Sequence, residues 1–217
     1  MTSPDDSADW RRRRHRRASP EFARMLNLSD GVFAIAMTLL VLGIDPQAVD
    51  LTSIGGVFVD QPGELIGFVI SFAVICYFWW IHHRFFAAIG VMEPGLIVLN
   101  LTLLGLIALV PFPTSLLSRD PTAQGAVVPY LGLLALIAAL HVLLLLRAQK
   151  AGAWRVPPPD GLFPWLLAGW GASAAVTALA LVLAFFVPVA GLALLVLNWP
   201  VEAIVAHRAP QGYSDWG

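Results

Sequence analysis

The side chains able to do chemistry in this chain are polar groups set inside apolar surroundings: Ser29, Asp30, Trp79, His82, His83, Asn100, His141 and Glu202. A polar or ionisable residue inside hydrocarbon is expensive to hold, so each needs a partner or a purpose. Trp79, His82 and His83 stand at i, i+3 and i+4, the spacing that brings side chains to one face of a helix. With Ser29 and Asp30 near the start of one apolar segment and Asn100 near the start of another, they form a polar layer at one depth. Such a layer has two readings. It is a proton relay or ion site, or it is a hydrogen-bonded clasp fixing helix one against helices two and three. Arg24, Ser29, a histidine or Asn100 is the expected partner of Asp30. A metal site is poorly supported, because two adjacent histidines and one aspartate lack the spacing of a usual ligand set. Cys76 is the single cysteine, which excludes an intramolecular disulfide and a thiol metal cluster. No nucleophile stands with a base, so an enzyme is not expected, and neither is a cofactor.

The elements that must position these groups follow from composition. Of 217 residues, 58% are hydrophobic and 12% charged, against about 25% charged in a soluble domain. Apolar runs long enough for a spanning helix, about 20 residues, fall near 25–44, 64–86, 95–117, 126–147, 162–185 and 188–206. The last two are separated by a turn placed at Phe186, Val187, Pro188 and Val189, since Pro188 lacks a donor and disfavours helix at Val187. The expected fold is therefore an all-α membrane protein of six transmembrane helices. Residues 1–20 read as a disordered basic segment, 21–208 as the membrane domain and 209–217 as a short tail. The N-terminus lacks the apolar stretch of a cleaved leader. With the N-terminus in the cytoplasm, Arg11–Arg14, Arg16, Arg17, Arg24, Arg84, Arg147, Lys150, Arg155 and Arg208 all lie inside, leaving Arg119 outside. The positive-inside rule thus puts both termini in the cytoplasm. The basic run from Arg11 to Arg17 reads as a topology signal that could also meet anionic lipid. Pro157–Pro159 reads as a stiff connector. No nucleotide-binding loop or nucleic-acid-binding domain is present.

Along helix one, Ile35, Leu39 and Leu42 share a face, while Asp30 stands about 140° around from Ile35. Spacing alone makes that aliphatic stripe a packing or lipid-facing surface. Pro111 and Pro113 must kink or stop helix three, with Thr114 or Ser115 available to a freed carbonyl. The outer half of the bundle is expected to be more apolar than the polar layer.

Three segments, RMLNLSDGVFAIAMTLLVL (24–42), SFAVICYFWWIHHRFF (71–86) and NLTLLGLIALVPFPTSLL (100–117), together resemble the lysosomal transmembrane potassium channel family and its bacterial single-repeat members, which carry an FSD signature in the first helix. Leu28 stands where the signature has Phe, keeping apolar volume but losing a flat ring. The resemblance implies a potassium-selective channel without a TVGYG filter. Bacterial members assemble as homotetramers from one six-helix repeat, whereas the animal protein fuses two repeats and forms dimers. Ile35, Leu39 and Leu42 would then form an apolar pore constriction, with Thr38 beside them. Arg24, Ser29 and Asp30 would belong to the signature, and Trp79, His82 or His83, and Asn100 to a supporting polar network. Potassium ions, the lipid bilayer and three further copies of the chain are the implied partners, and the bacterial inner membrane the implied location. Proton permeation is permitted by this network but not required. The competing reading is a proton-coupled secondary transporter working through Asp30, His82 and His83, with His141 and Glu202. No internal repeat of the kind common in transporters is evident.

Overall fold

The computed structural model describes residues 15–45, 52 and 55–213. Six helical segments are long and apolar enough to cross a membrane: Pro20–Gly43, Pro62–Ala88, Pro94–Arg119, Gln124–Ala151, Phe163–Ala184 and Pro188–Arg208. The described residues hold nine α-helices: α1 (Pro20–Leu39), α2 (Gly56–Asp60), α3 (Pro62–Ala88), α4 (Pro94–Leu109), α5 (Pro111–Arg119), α6 (Gln124–Ala151), α7 (Phe163–Ala184), α8 (Pro188–Leu194) and α9 (Asn198–Arg208), of which α2 is a short turn before the second span and the other eight make up the spans. The first span ends in a 3-10 turn, Leu40–Gly43, and the last contains another, Leu195–Leu197. The predicted turn between the last two spans is present, with Val187 extended and Pro188 opening α8.

Proline writes most of the starts. It occupies the first turn of α1, α3, α4, α5, α7 and α8, where its missing N–H would be unpaired in any case and its fixed φ suits the helix. Ser19 caps α1 by accepting from the Phe22 amide. Gly152 ends α6 in the left-handed conformation at φ 59°, the usual helix stop.

A small latch ties together the start of α1, the α3–α4 turn and the segment after α6. β1 (His15–Arg16) pairs antiparallel with β2 (Val91–Met92), in the turn between α3 and α4. The Arg17 amide donates to Gly90 O, the Gly90 amide to Ala153 O, and the Arg155 amide to Ala88 O. Arg17 Nη1 reaches the carbonyls of Phe86, Ala87 and Ile89 at 2.6–3.2 Å. These are carbonyls at the C-terminal end of α3, where the regular helical pattern of partners runs out. Gly90 is required here, since a Cβ would sit 2.7 Å from Arg155 Cα. The segment expected to be irregular through residue 20 is thus structured from His15 onward, because this latch and the Ser19 cap give its backbone partners. The arginines at 11–14 lie outside the described residues, as do 214–217 of the expected tail. Tyr213 of that tail packs back against α7, its hydroxyl lying where a Cβ on Gly169 would fall.

The core runs through α1, α3, α4, α6 and α7, with Phe22, Phe33, Ile75, Leu96, Leu103, Ile107, Leu131 and Ile137 buried. Only 6% of the last span's apolar window is buried, against 44% for the fourth.

Candidate functional site

On α1 two faces separate cleanly. Phe22, Ser29, Phe33 and Ala36 are buried, and Leu40 continues the row in the turn that follows. The opposite stripe is open: Ile35 is 60% exposed, Leu39 41% and Leu42 75%. Leu28, one heptad before Ile35, is 47% exposed and extends the same apolar seam. Thr38 is exposed beside it, its hydroxyl donating to Ile35 O at 2.9 Å.

Behind that seam lies a buried hydrogen-bonded chain through three spans. Ser29 Oγ donates to Met25 O at 3.0 Å. Its proton thus committed, Ser29 accepts from Asn100 Nδ2 at 3.1 Å. Asn100 then presents Oδ1 to His82 Nε2 at 2.8 Å, so that nitrogen carries the hydrogen. The chain fixes the imidazole tautomer and leaves the asparagine amide no reason to flip. Phe33 and Phe86 flank the His82 ring at 5.2 and 4.5 Å. Asp30 stands apart from this chain. It is exposed, and its Oδ1 accepts from Trp79 Nε1 at 3.0 Å.

The Trp79, His82, His83 set therefore divides rather than presenting one common face. His82 turns inward, whereas His83 is exposed and meets the Trp79 ring at 5.3 Å. The cause is angular: at about 100° per residue, neighbouring positions cannot both face the core. Arg24 is exposed and makes no link in the buried chain. Cys76 is half-buried with its thiol 3.8 Å from Met37 Sδ. Among the described residues no three His, Cys, Asp or Glu side chains gather as metal ligands would.

Sequence reasoning named Glu202 and Thr114 but missed the pairings of three polar centres. One sits at the break between α4 and α5, deeper in the bundle than the expected polar layer. Thr114 Oγ1 donates to Ser71 Oγ at 2.9 Å and lies 2.9 Å from Val110 O, and Ser71 meets the Tyr130 hydroxyl at 3.2 Å. The expected apolar half thus holds a buried hydroxyl cluster, where the Val110 carbonyl also accepts the Thr114 amide. The second is Glu93, which caps α4 through the Gly95 and Leu96 amides and takes a bidentate contact from Arg147 at 2.6 and 2.9 Å. Arg147, with two amide donors, holds the Glu93 carboxyl below its ordinary range despite burial. The third joins Tyr77 on α3 to Glu202 on α9 at 2.7 Å. A Glu before a Pro-Gly start signals a cap in the sequence, but nothing in spacing pairs residues 93 with 147 or 77 with 202.

An open pocket of about 310 Å³ lies beside the stripe, between Leu39, Leu42, Glu64, Phe68, Phe112 and Ser115.

Residues 24–111, from the start of the first apolar seam to the α4–α5 break, match the family described as endosomal/lysosomal potassium channel TMEM175. The first half of this chain is thus similar to the TMEM175 family. Its relatives include a potassium channel from Chamaesiphon minutus, 39% identical over 54% of this chain and 61% of the relative. Another, from Streptomyces collinus, is 38% identical over 46% of this chain and 48% of its own length. The alignments thus span about three fifths or less of these curated relatives. Agreement in fold extends much further. The crystal structure of a lysosomal potassium-selective channel TMEM175 homolog from Chamaesiphon minutus superposes with a TM-score of 0.69 at 26% identity, covering 86% of this chain and 99% of that one. TMEM175 is a channel family and not an enzyme family, and the six apolar helices make this chain a multi-pass membrane protein.

Proposed function

We propose that this chain forms a potassium-selective channel: a homotetramer in the bacterial inner membrane, both termini cytoplasmic, its pore lined by the first helix of each subunit. The observation that carries this reading is the two-faced α1. Its inner face is anchored to α3 and α4, while Ile35, Leu39 and Leu42 stay exposed in the single chain. Four such seams around an axis make an apolar ring. The TMEM175 relatives, named as potassium channels, supply the ion and the reason to choose a pore over a packing surface.

In this mechanism the ring offers an ion few polar ligands, so the ion sheds water to pass. Potassium loses its hydration at a lower cost than sodium, and the apolar gap selects on that difference. Thr38 is the nearest hydroxyl able to replace a lost water. An apolar gap of this kind also closes by dewetting. The chain from Ser29 through Asn100 to His82 acts as a clasp that keeps α1 in register, and the Asp30–Trp79 pair holds a second point of α1 to α3. The region 21–208 is the channel domain, with the arginine-rich start and the short tail as cytoplasmic appendages.

Purified protein in a planar bilayer under opposed potassium and sodium gradients tests the proposal. The reversal potential is expected close to the potassium equilibrium value, with no co-substrate needed. A saturating flux that requires a second solute would sink the channel reading.

A further inference from the structure

Another buried polar centre lies between α3, α6, α7 and α9. His141 on α6 is fully buried. Its Nδ1 stands 2.9 Å from Ile137 O, one turn earlier. A carbonyl only accepts, so Nδ1 carries the hydrogen and Nε2 is a bare lone pair. Nε2 is buried and has no hydrogen-bond partner among the described residues. An unsatisfied buried acceptor is costly, and a lone pair needs a donor. Phe78 stacks on the imidazole at 5.5 Å and Trp170 meets it edge-on at 6.1 Å, so neither ring plane offers one.

His141 lines a cavity of about 10 Å³ together with Tyr77, Ser173 and Glu202. That is close to the smallest volume that holds one water, about 10–15 Å³. Its polar members are already in sequence. The Ser173 and Tyr77 hydroxyls lie 3.5 Å apart, and the Tyr77 hydroxyl donates to Glu202 Oε1 at 2.7 Å. Glu202 is half-buried on α9, the least covered span.

We propose that this cavity is a water-binding site, and that its single water completes a proton-exchange route from Glu202 to His141. The water donates one hydrogen to His141 Nε2 and accepts from the Ser173 hydroxyl. Protons balance along the route. A solvent proton binds Glu202, whose acid hydrogen passes to the Tyr77 oxygen as the Tyr77 hydrogen passes to Ser173. Ser173 gives its hydrogen to the water and the water gives one to Nε2. The result is one proton gained at His141 and a carboxylate restored at Glu202. The titratable groups facing the site are Tyr77 and His82 from α3, Glu202 from α9 and Tyr213 from the tail; α7 contributes Ser173 and the Trp170 ring. His82 lies 6.5 Å from His141, ring centre to ring centre, so the route ends beside the clasp that holds α1. This site does not depend on which ion the pore carries.

The test uses the full-length protein in lipid nanodiscs, labelled with 15N-histidine. Water-edited NMR is expected to show a cross-peak between water and His141 Nε2, with the shift of a hydrogen-bonded lone pair. Ser173→Ala should remove that cross-peak. Tyr77→Phe, which keeps the ring packed on Phe78 at 5.6 Å, should keep the cross-peak but slow exchange of the site with bulk D2O. Thermal unfolding of each variant confirms that it remains folded. A wild-type His141 with no water contact overturns the site. A cross-peak unchanged by Ser173→Ala, or exchange unchanged by Tyr77→Phe, overturns the route.

Discussion

Asn100 is where the polar layer can be tested most sharply. It is fully buried, and both ends of its amide are used, one by Ser29 and one by His82. Asn100→Leu removes both bonds but leaves the Ser29 hydrogen on Met25 O. The orphan is then the His82 Nε2–H, and a buried donor left unpaired costs about 1–3 kcal/mol. The variant is expected to unfold at a lower temperature in detergent, and an unchanged unfolding curve would show that the clasp contributes nothing. Asp30 behaves differently, because it is exposed in the single chain and accepts a hydrogen bond from Trp79 at the surface. Standing well around α1 from Ile35, it should matter for assembly more than for permeation. Asp30→Ala is expected to lower the tetramer fraction on gel filtration while leaving the potassium-to-sodium preference of the remaining channels intact. The participants in this layer were legible in sequence because polar residues are rare in apolar runs. Their wiring was not. Whether His82 or His83 turns inward depends on the rotation of α3 against α4, which neighbouring residues of equal chemistry do not reveal.

At the scale of elements, the helix starts were legible because proline and a capping side chain announce them locally. Contacts between elements were not, as Glu93 illustrates. Its cap on α4 is local, but its Arg147 partner is 54 residues away. The bidentate pair clamps the start of α4 to the last turns of α6, and its pH dependence follows from the direction of the shift. Glu93 is lowered in the folded state from an ordinary value of 4.5. It therefore contributes stability that is complete above that value and is lost as pH falls through the lower folded value. Wild-type protein should lose thermal stability below about pH 4.5, the usual glutamate range, and Glu93→Gln should flatten that part of the profile while lowering stability at neutral pH. Identical profiles for the two proteins would remove Glu93 from the account. The α4–α5 break shows the opposite balance. Pro111 and Pro113 made the interruption readable, and Thr114 was named there as a candidate for a freed carbonyl, although its hydroxyl lies on Val110 O, which also accepts the Thr114 amide. Its other bond, to Ser71, and Ser71's contact with Tyr130 were invisible, because they depend on three helices meeting at one depth.

For the whole molecule, hydropathy alone places six spans within a few residues, since nothing else satisfies so much apolar backbone in a membrane. What hydropathy does not distinguish is the partner of each exposed face. Lipid and a neighbouring subunit are both apolar, so the open side of α1 and the sparsely covered last span carry similar residues. The tetramer and its axis therefore rest on the α1 seam, and Ile35 is the position that separates the alternatives. In the proposed ring, four Ile35 side chains face one another and exclude water. Ile35→Asn places carboxamides there, each with donors and acceptors for water. The gap should then stay wet, single-channel current should rise, and sodium should pass more nearly as well as potassium. A control on the same assembly is Leu101→Asn, an exposed residue of α4, which is expected to change neither property. If Ile35→Asn tetramers conduct with wild-type current and preference, the seam is a packing surface and the ion path lies elsewhere. If current rises while the reversal potential shifts toward sodium, the same four side chains both narrow the pore and discriminate between the ions.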